Sequence, residues 1–152
     1  MIHDDLLDIA EHLALLDERK PRQTSLRRAI SSAYYGLFHA LAALCADELV
    51  GYSKPWDVYA PIYRTLDHGR AKDALKRLLA NSGGDIAFIG QTFILLQERR
   101  HAADYDPSPL ATGRRETLDL VDLAKRATVR LNALGKNDRL FLAVQLIART
   151  RP

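Results

Sequence analysis

From Ser25 to Val50 the chain has no proline and a single glycine, Gly36, and its large apolar residues recur at helical spacing. At about 100° per residue, Ile30, Ala33, Tyr34, Leu37, Phe38, Leu41, Leu44 and Cys45 fall on one side of a helix. On the other side Arg28, Ser32, Tyr35 and His39 stand at i, i+4, i+7 and i+11, within about 60° of one another. A helix that faces water normally shows it a mixed charged surface, whereas this one shows aromatic rings, an imidazole and alanines. The pattern predicts the central helix of a bundle, covered on both sides, with its second face against another helix, another subunit or a ligand. A plain two-sided core helix would give the same pattern.

The remaining segments read as shorter helices around it. Ile2, Leu6, Ile9, Leu13 and Leu16 form one stripe, with Asp4, Asp5, Asp8 and Glu11 outside it, which predicts an amphipathic helix facing the core through that stripe. Asp17–Thr24, with Pro21, breaks the chain, and Thr24 or Ser25 is placed to cap the central helix. After the break at Gly51–Pro55, a helix restarts near Pro55 or Pro61 and ends near His68–Gly69, a C-terminal signal with the histidine in the last turn. Arg70–Ala80 turns Ala71, Ala74, Leu75, Leu78 and Leu79 inward, and Asn81-Ser82-Gly83-Gly84 is a loop.

From Asp85 to about His101 the inner stripe is Ile86, Ile89, Phe93, Leu96 and then Arg100, so the stripe ends on a charge. Ala103–Pro109 cannot continue a regular helix through its prolines. A long helix follows from about Thr112 to Leu134, with Leu120, Ala124, Ala127, Leu131 and Leu134 inside and Arg115–Asp119 and Asp122–Arg126 as outer i,i+4 pairs. After the turn at Gly135, Asp138–Ala148 is a short helix using Leu140, Phe141, Val144 and Ile147, and Arg149–Pro152 is expected to fray. No strand and no internal repeat emerges. The expectation is an all-α, up-and-down helical bundle of about five to seven helices, one domain over residues 1–152.

Bulk numbers change this picture little. With 47% hydrophobic and 27% charged residues, the chain is ordinary for a globular protein. Its net charge of +3 permits contact with nucleic acid without demanding it. The one cysteine, Cys45, lies on the apolar stripe, so no intrachain disulfide framework exists and the thiol is a poor nucleophile. Acids stand near the start where a secretory signal would carry lysine or arginine, and no apolar run approaches the ~20 residues of a membrane-spanning helix. A cytoplasmic protein with no membrane contact is expected.

The sharpest candidate chemistry lies in Gln97–Pro109 (QERRHAADYDPSP). Arg100 is in phase with the apolar stripe and needs a partner, because a buried unpaired guanidinium costs several kcal/mol. Asp104 and Tyr105 follow at the helix end, and together with His101 they form a group suited to a phosphate or an RNA backbone. A structural Arg–Asp lock is the plainer reading. A second pair, Arg64 and His68, stands at i,i+4 and shares a face if that piece is helical; an arginine to hold phosphate and a histidine to move a proton would suit metal-independent RNA cleavage. A capping histidine beside a solvated arginine is its plainer reading. The Glu98-x-x-His101 spacing of di-iron bundles occurs once, where such sites need two copies, so no metal ligands are expected. No CxxC, HExxH, P-loop or GxGxxG is present, and no cofactor is implied.

Two motifs together, RRAISSAYYGLFHAL (Arg27–Leu41) and RHAADYDP (Arg100–Pro107), resemble the HEPN superfamily, in particular small stand-alone bacterial HEPN-like proteins with a YY-x-x-F-H helix and an R-x-x-A-D-Y element. The resemblance covers roughly Ser25 to Leu134. It implies a helical bundle that forms a homodimer. It also implies, as in many members, a metal-independent ribonuclease of toxin–antitoxin or phage-defence systems, paired with a nucleotidyltransferase-like antitoxin. By the resemblance, Arg100 and Tyr105 are the family arginine and tyrosine, and the site lies in a cleft at the dimer interface. The family's R-x(4–6)-H spacing is absent, and Asp104 stands near where active members place histidine, which lacks that residue's near-neutral pKa. The expected site is therefore Arg100, Asp104, Tyr105, His101, Arg64 and His68, with Arg28, Tyr35 and His39 lining the cleft. The alternative is a non-catalytic helical dimer acting as a protein-interaction or nucleotide-binding module.

Overall fold

The structure, a computed structural model, describes residues 1–149. Seven helices, and among the described residues no strand, make up an all-α bundle: α1 (Ile2–Leu15), α2 (Gln23–Leu49), α3 (Trp56–Tyr63), α4 (His68–Leu79), α5 (Gly84–Tyr105), α6 (Arg114–Ala133) and α7 (Lys136–Ile147). From residue 150 onward the expected frayed tail lies outside the described residues.

Helix α2 is the axis. It packs against α1, α3, α5, α6 and α7, while α4 packs on α5 and α7. Seventeen of its 27 residues are buried, including every residue of the apolar stripe, so it is wrapped rather than laid on a surface. Its other face is only half covered: Ser32, Tyr35 and His39 are partly exposed and Arg28 is exposed. By length and composition α2 also meets the test for a membrane span, contrary to the expectation from its sequence. Yet 83% of the apolar window is buried inside the bundle, as befits a core helix.

Close approach explains how α1 docks on α2. A Cβ on Gly36 would stand 2.7 Å from Leu7 Cδ2 and 3.4 Å from the His3 carbonyl oxygen. The inner face of α1 is accordingly His3, Leu7, Ala10 and Ala14. The stripe expected to face inward is only half covered: Leu6 and Leu13 are half-buried, while Ile2, Ile9 and Leu16 are 51%, 50% and 43% exposed. Bulky residues drew the expectation, but Gly36 makes room for Leu7, and the face that carries Leu7 continues through the small Ala10 and Ala14. Helix α7 is misphased in the same way, burying Leu142, Ala143 and Leu146 and leaving Leu140, Phe141 and Val144 exposed.

Several boundaries also shift. Helix α2 begins at Gln23 after Arg22, so neither Thr24 nor Ser25 is its cap, and Ser25 is buried. The chain does not run helically from Trp56 to His68. Helix α3 stops at Tyr63, Asp67 caps α4 by accepting from the Arg70 amide at 3.0 Å, and His68 opens α4 rather than closing α3. Helix α5 runs four residues past His101, to Tyr105, and stops before Pro107.

A Gly36→Ala substitution is expected to destabilise the protein by about 1–2 kcal/mol, overpacking against Leu7 outweighing alanine's helix preference. Urea unfolding checks this, and adding Leu7→Ala should cost less in the Gly36→Ala background than in the wild type. Equal cost in both would refute the contact.

Candidate functional site

The apolar stripe of α5 ends on Arg100 within the bundle, where the residue is 9% exposed. Its guanidinium carbon lies 5.0 Å from the Tyr34 ring centre, 5.7 Å from Tyr35 and 5.9 Å from Tyr105. Arginine suits such a shell because its planar, weakly hydrated cation is attracted to aromatic faces. Compensating charge comes from Asp104 one turn on, with Nη1 to Oδ2 at 3.7 Å, and the Ser31 hydroxyl donates to the same oxygen at 3.3 Å. The Nε–H of Arg100 is buried and has no hydrogen-bond partner among the described residues.

A histidine from α4 joins this cluster through Tyr34. His68 Nδ1 is 2.6 Å from the Tyr34 hydroxyl, and its ring stacks on Phe38 at 4.0 Å between centres and meets Tyr35 edge-on. Arg100 bears electrostatically on both Tyr34 and His68. Burial chiefly, and the Arg100 charge next, hold the His68 pKa below its ordinary 6.5, so the imidazole is neutral at pH 7. Burial also drives the Tyr34 phenol well above its usual range, so it stays protonated. Gln97, one turn before Arg100, donates to the His68 carbonyl at 3.2 Å, and its own Oε1 is buried without a partner among the described residues. Two unpartnered buried polar atoms, one donor and one acceptor, therefore belong to neighbouring residues of one face of α5.

The remaining expected residues fall around this cluster or away from it. Tyr35 lines it directly. His39 lies one turn beyond on α2, bound to the Tyr63 hydroxyl at 2.6 Å, with burial lowering its pKa. His101 is exposed and rests against Tyr105, ring centres 5.0 Å apart. Arg28 is exposed beside Asp104, where Thr24, Arg27 and Ala103 share a shallow recess. Arg64 does not join. It follows α3, across a break from His68, and its guanidinium lies 5.9 Å from the Trp56 ring centre, so the proposed Arg64–His68 shared face does not form. Cys45 is buried and its thiol is pushed up to about 12, which keeps it inert.

Arg27 was missed as a positioning group. Its guanidinium donates to the carbonyls of Ala103 at 2.8 Å, Asp106 at 2.6 Å and Ser108 at 2.5 Å, with Ala102 farther off at 3.4 Å. The Ala102 carbonyl already accepts from the Asp106 amide, whereas those of Ala103, Asp106 and Ser108 belong to the end of α5 and its following turn, where the helix itself supplies no donor. Arg27 thereby fixes where Asp104 and Tyr105 stand. Tyr34 and Gln97 were legible in principle: a phenol on a core stripe requires a partner, and Gln97 shares a face with Arg100 at i,i+3. Nothing in the sequence tied Arg27 to α5.

Among the described residues no three His, Cys, Asp or Glu side chains gather as metal ligands. Comparisons with protein-family models, curated proteins and solved structures found no match for this chain.

Arg27→Ala is expected to cost about 3 kcal/mol of stability, because several carbonyl acceptors lose a charged donor. Urea unfolding measures it, and a loss below about 1 kcal/mol would refute the clamp. A second expectation concerns pH. His3, His39 and His68 all have pKa values lowered chiefly by burial, so the unfolded chain binds protons that the folded chain refuses. Their stabilising contribution is complete above pH 6.5 and lost as pH falls below it. The lowered carboxylates Asp17, Asp67 and Asp106 act only near and below 3.8. The urea midpoint should therefore fall between pH 7.5 and 5.5, less steeply in His68→Gln; an unchanged midpoint would contradict it.

Proposed function

We propose that this chain is a HEPN-like RNA-binding protein that grips the sugar–phosphate backbone at the Arg100–Tyr34–His68 cluster and cleaves it without a metal. The observation that carries the reading is a neutral histidine held to a buried arginine through a shared tyrosine, with the arginine Nε–H still unpartnered. The R-x(4–6)-H spacing is absent from the sequence, and what supports the reading in its place is that Arg100 of α5 and His68 of α4 both meet Tyr34.

In this reading Arg100 binds a phosphate oxygen and stabilises the charge that builds on it. With its hydrogen on Nδ1, His68 donates to the Tyr34 oxygen and keeps a lone pair on Nε2. That nitrogen takes the proton of a 2′-hydroxyl as its oxygen attacks phosphorus. The 5′-oxygen leaves with a proton from water, giving a 2′,3′-cyclic phosphate and a 5′-hydroxyl end. Tyr35, Tyr105, His101 and Arg28 line the approach, where exposed rings can stack on bases. The half-covered Arg28–Ser32–Tyr35–His39 strip of α2 runs beside the cluster, so a second copy placed there would build the site at a homodimer interface. A cytoplasmic toxin or phage-defence role, held in check by a nucleotidyltransferase-like antitoxin, belongs to the same proposal.

The 9% exposure of Arg100 favours a second reading, a non-catalytic interaction module in which the arginine locks α5 to α2. One experiment separates them. Purified protein is incubated with single-stranded RNA in EDTA, alongside Arg100→Lys and His68→Gln. Cleavage by the wild type and a loss of about a hundredfold or more in each variant is expected. An inert wild type, with Arg100→Lys lowering only the melting temperature, would establish the module instead.

A further inference from the structure

Apart from the Arg100 cluster, a cavity of about 470 Å³ opens between the start of α1, the end of α2, the Gly51–Pro55 connection and α3. That volume suits a small organic ligand. Its walls combine three features. Trp56 and Tyr59 stack with ring centres 5.9 Å apart, and Trp56 and Tyr52 are left 61% and 86% exposed. Asp47 lies partly buried among the lining residues, with one oxygen accepting from the Tyr59 hydroxyl at 2.7 Å. No lysine or arginine pairs with it among the described residues, and the His3 imidazole on the same wall feels its charge. Lys54 stands at the same opening, and its ammonium makes no ion pair or hydrogen bond among the described residues.

We infer that this cavity binds a guanine base, with its phosphate on Lys54. Large flat side chains left in water are stacking platforms for a base. The carboxylate decides which base. Guanine offers two adjacent donors, N1–H and the exocyclic amino group, which match a carboxylate with one oxygen free and the other singly engaged. Adenine and cytosine present an unprotonated ring nitrogen in the corresponding place, which a carboxylate repels. Uracil offers one N–H flanked by two carbonyl oxygens. An aliphatic cation would satisfy Asp47 but would meet the positive Lys54 at the rim, so charge complementarity favours a planar donor edge that carries an anion. The site stands independently of the RNA-cleavage reading, and the base can come from a free nucleotide or from an unpaired residue of RNA.

Trp56 is the only tryptophan in the chain, so its fluorescence reports on this cavity alone. Titration with GMP should quench it saturably, with AMP, CMP and UMP at least tenfold weaker. Asp47→Asn, which keeps an acceptor for Tyr59, should abolish the preference for GMP. Lys54→Ala, on an exposed position, should bring GMP binding down to that of guanosine, a loss of about fivefold to tenfold. Parallel titrations with single-stranded RNA containing or lacking guanine distinguish the two sources: tighter binding to guanine-containing RNA than to GMP identifies an RNA base, and the reverse a free nucleotide. Arg100→Lys should leave GMP binding unchanged, which keeps this test separate from the cleavage assay. No saturable quench by GMP, or quenching by all four nucleotides that Asp47→Asn leaves unaltered, would overturn the inference.

Discussion

Enclosing α2 is the constraint from which the other features follow. Five helices pack along it and α4 reaches it through His68, helped by a buried surface studded with small residues, Ala29, Ala33, Gly36, Ala40, Ala42, Ala43 and Ala46, which let neighbouring backbones come close. Such tight packing leaves little room to adjust, so the phase of each neighbour is dictated at the contact. The enclosure is incomplete along one strip, where Arg28, Ser32, Tyr35 and His39 stay partly open. Every polar group with a plausible chemical task near the centre of the fold lies along that strip or one helix away from it.

At the edge of the strip a cation is held in a shell made largely of carbon. A lone guanidinium could not remain there; rings on three sides and a carboxylate one turn away make it tolerable. The same positive charge reaches His68 and helps to keep its ring neutral, so one residue governs both the local field and the protonation of its neighbour. Arg27 works differently. It is spent on the backbone oxygens at the end of α5, and so holds Asp104 and Tyr105 at the distance the cation requires.

Periodicity revealed α2, the inner faces of α5 and α6, and the inward aim of Arg100, because in each the large residues are the buried ones. It misplaced the inner faces of both α1 and α7, and in α1 the reason is visible. Where a helix seats closely, its contact residues are small, as Ala10 and Ala14 are, and the bulkier Ile2, Ile9 and Leu16 lie on the far side. A hydrophobic pattern weighted by size then points the wrong way. His68 was misread because a histidine followed by glycine resembles a helix end, whereas the Asp67 carboxylate just before it marks a beginning. The pairing of His68 with Tyr34 and Arg100 depends on that reassignment and on contacts across three helices, which no local spacing encodes.

A core helix of this kind also shapes how the chain is made. Helix α2 is apolar enough to resemble a membrane segment, yet it is translated second, and three of the helices that cover it, α5, α6 and α7, emerge only later. Until then only α1 and α3 can shield it, so the nascent chain carries a long sticky rod out of the ribosome. Closing the core thus needs contacts between distant parts of the sequence, which α5, α6 and α7 supply. Arg27 and Arg28 near its start and Asp47 and Glu48 near its end bracket an uncharged stretch, so enclosure by its neighbours, and not those charges, separates this rod from a lipid-spanning one.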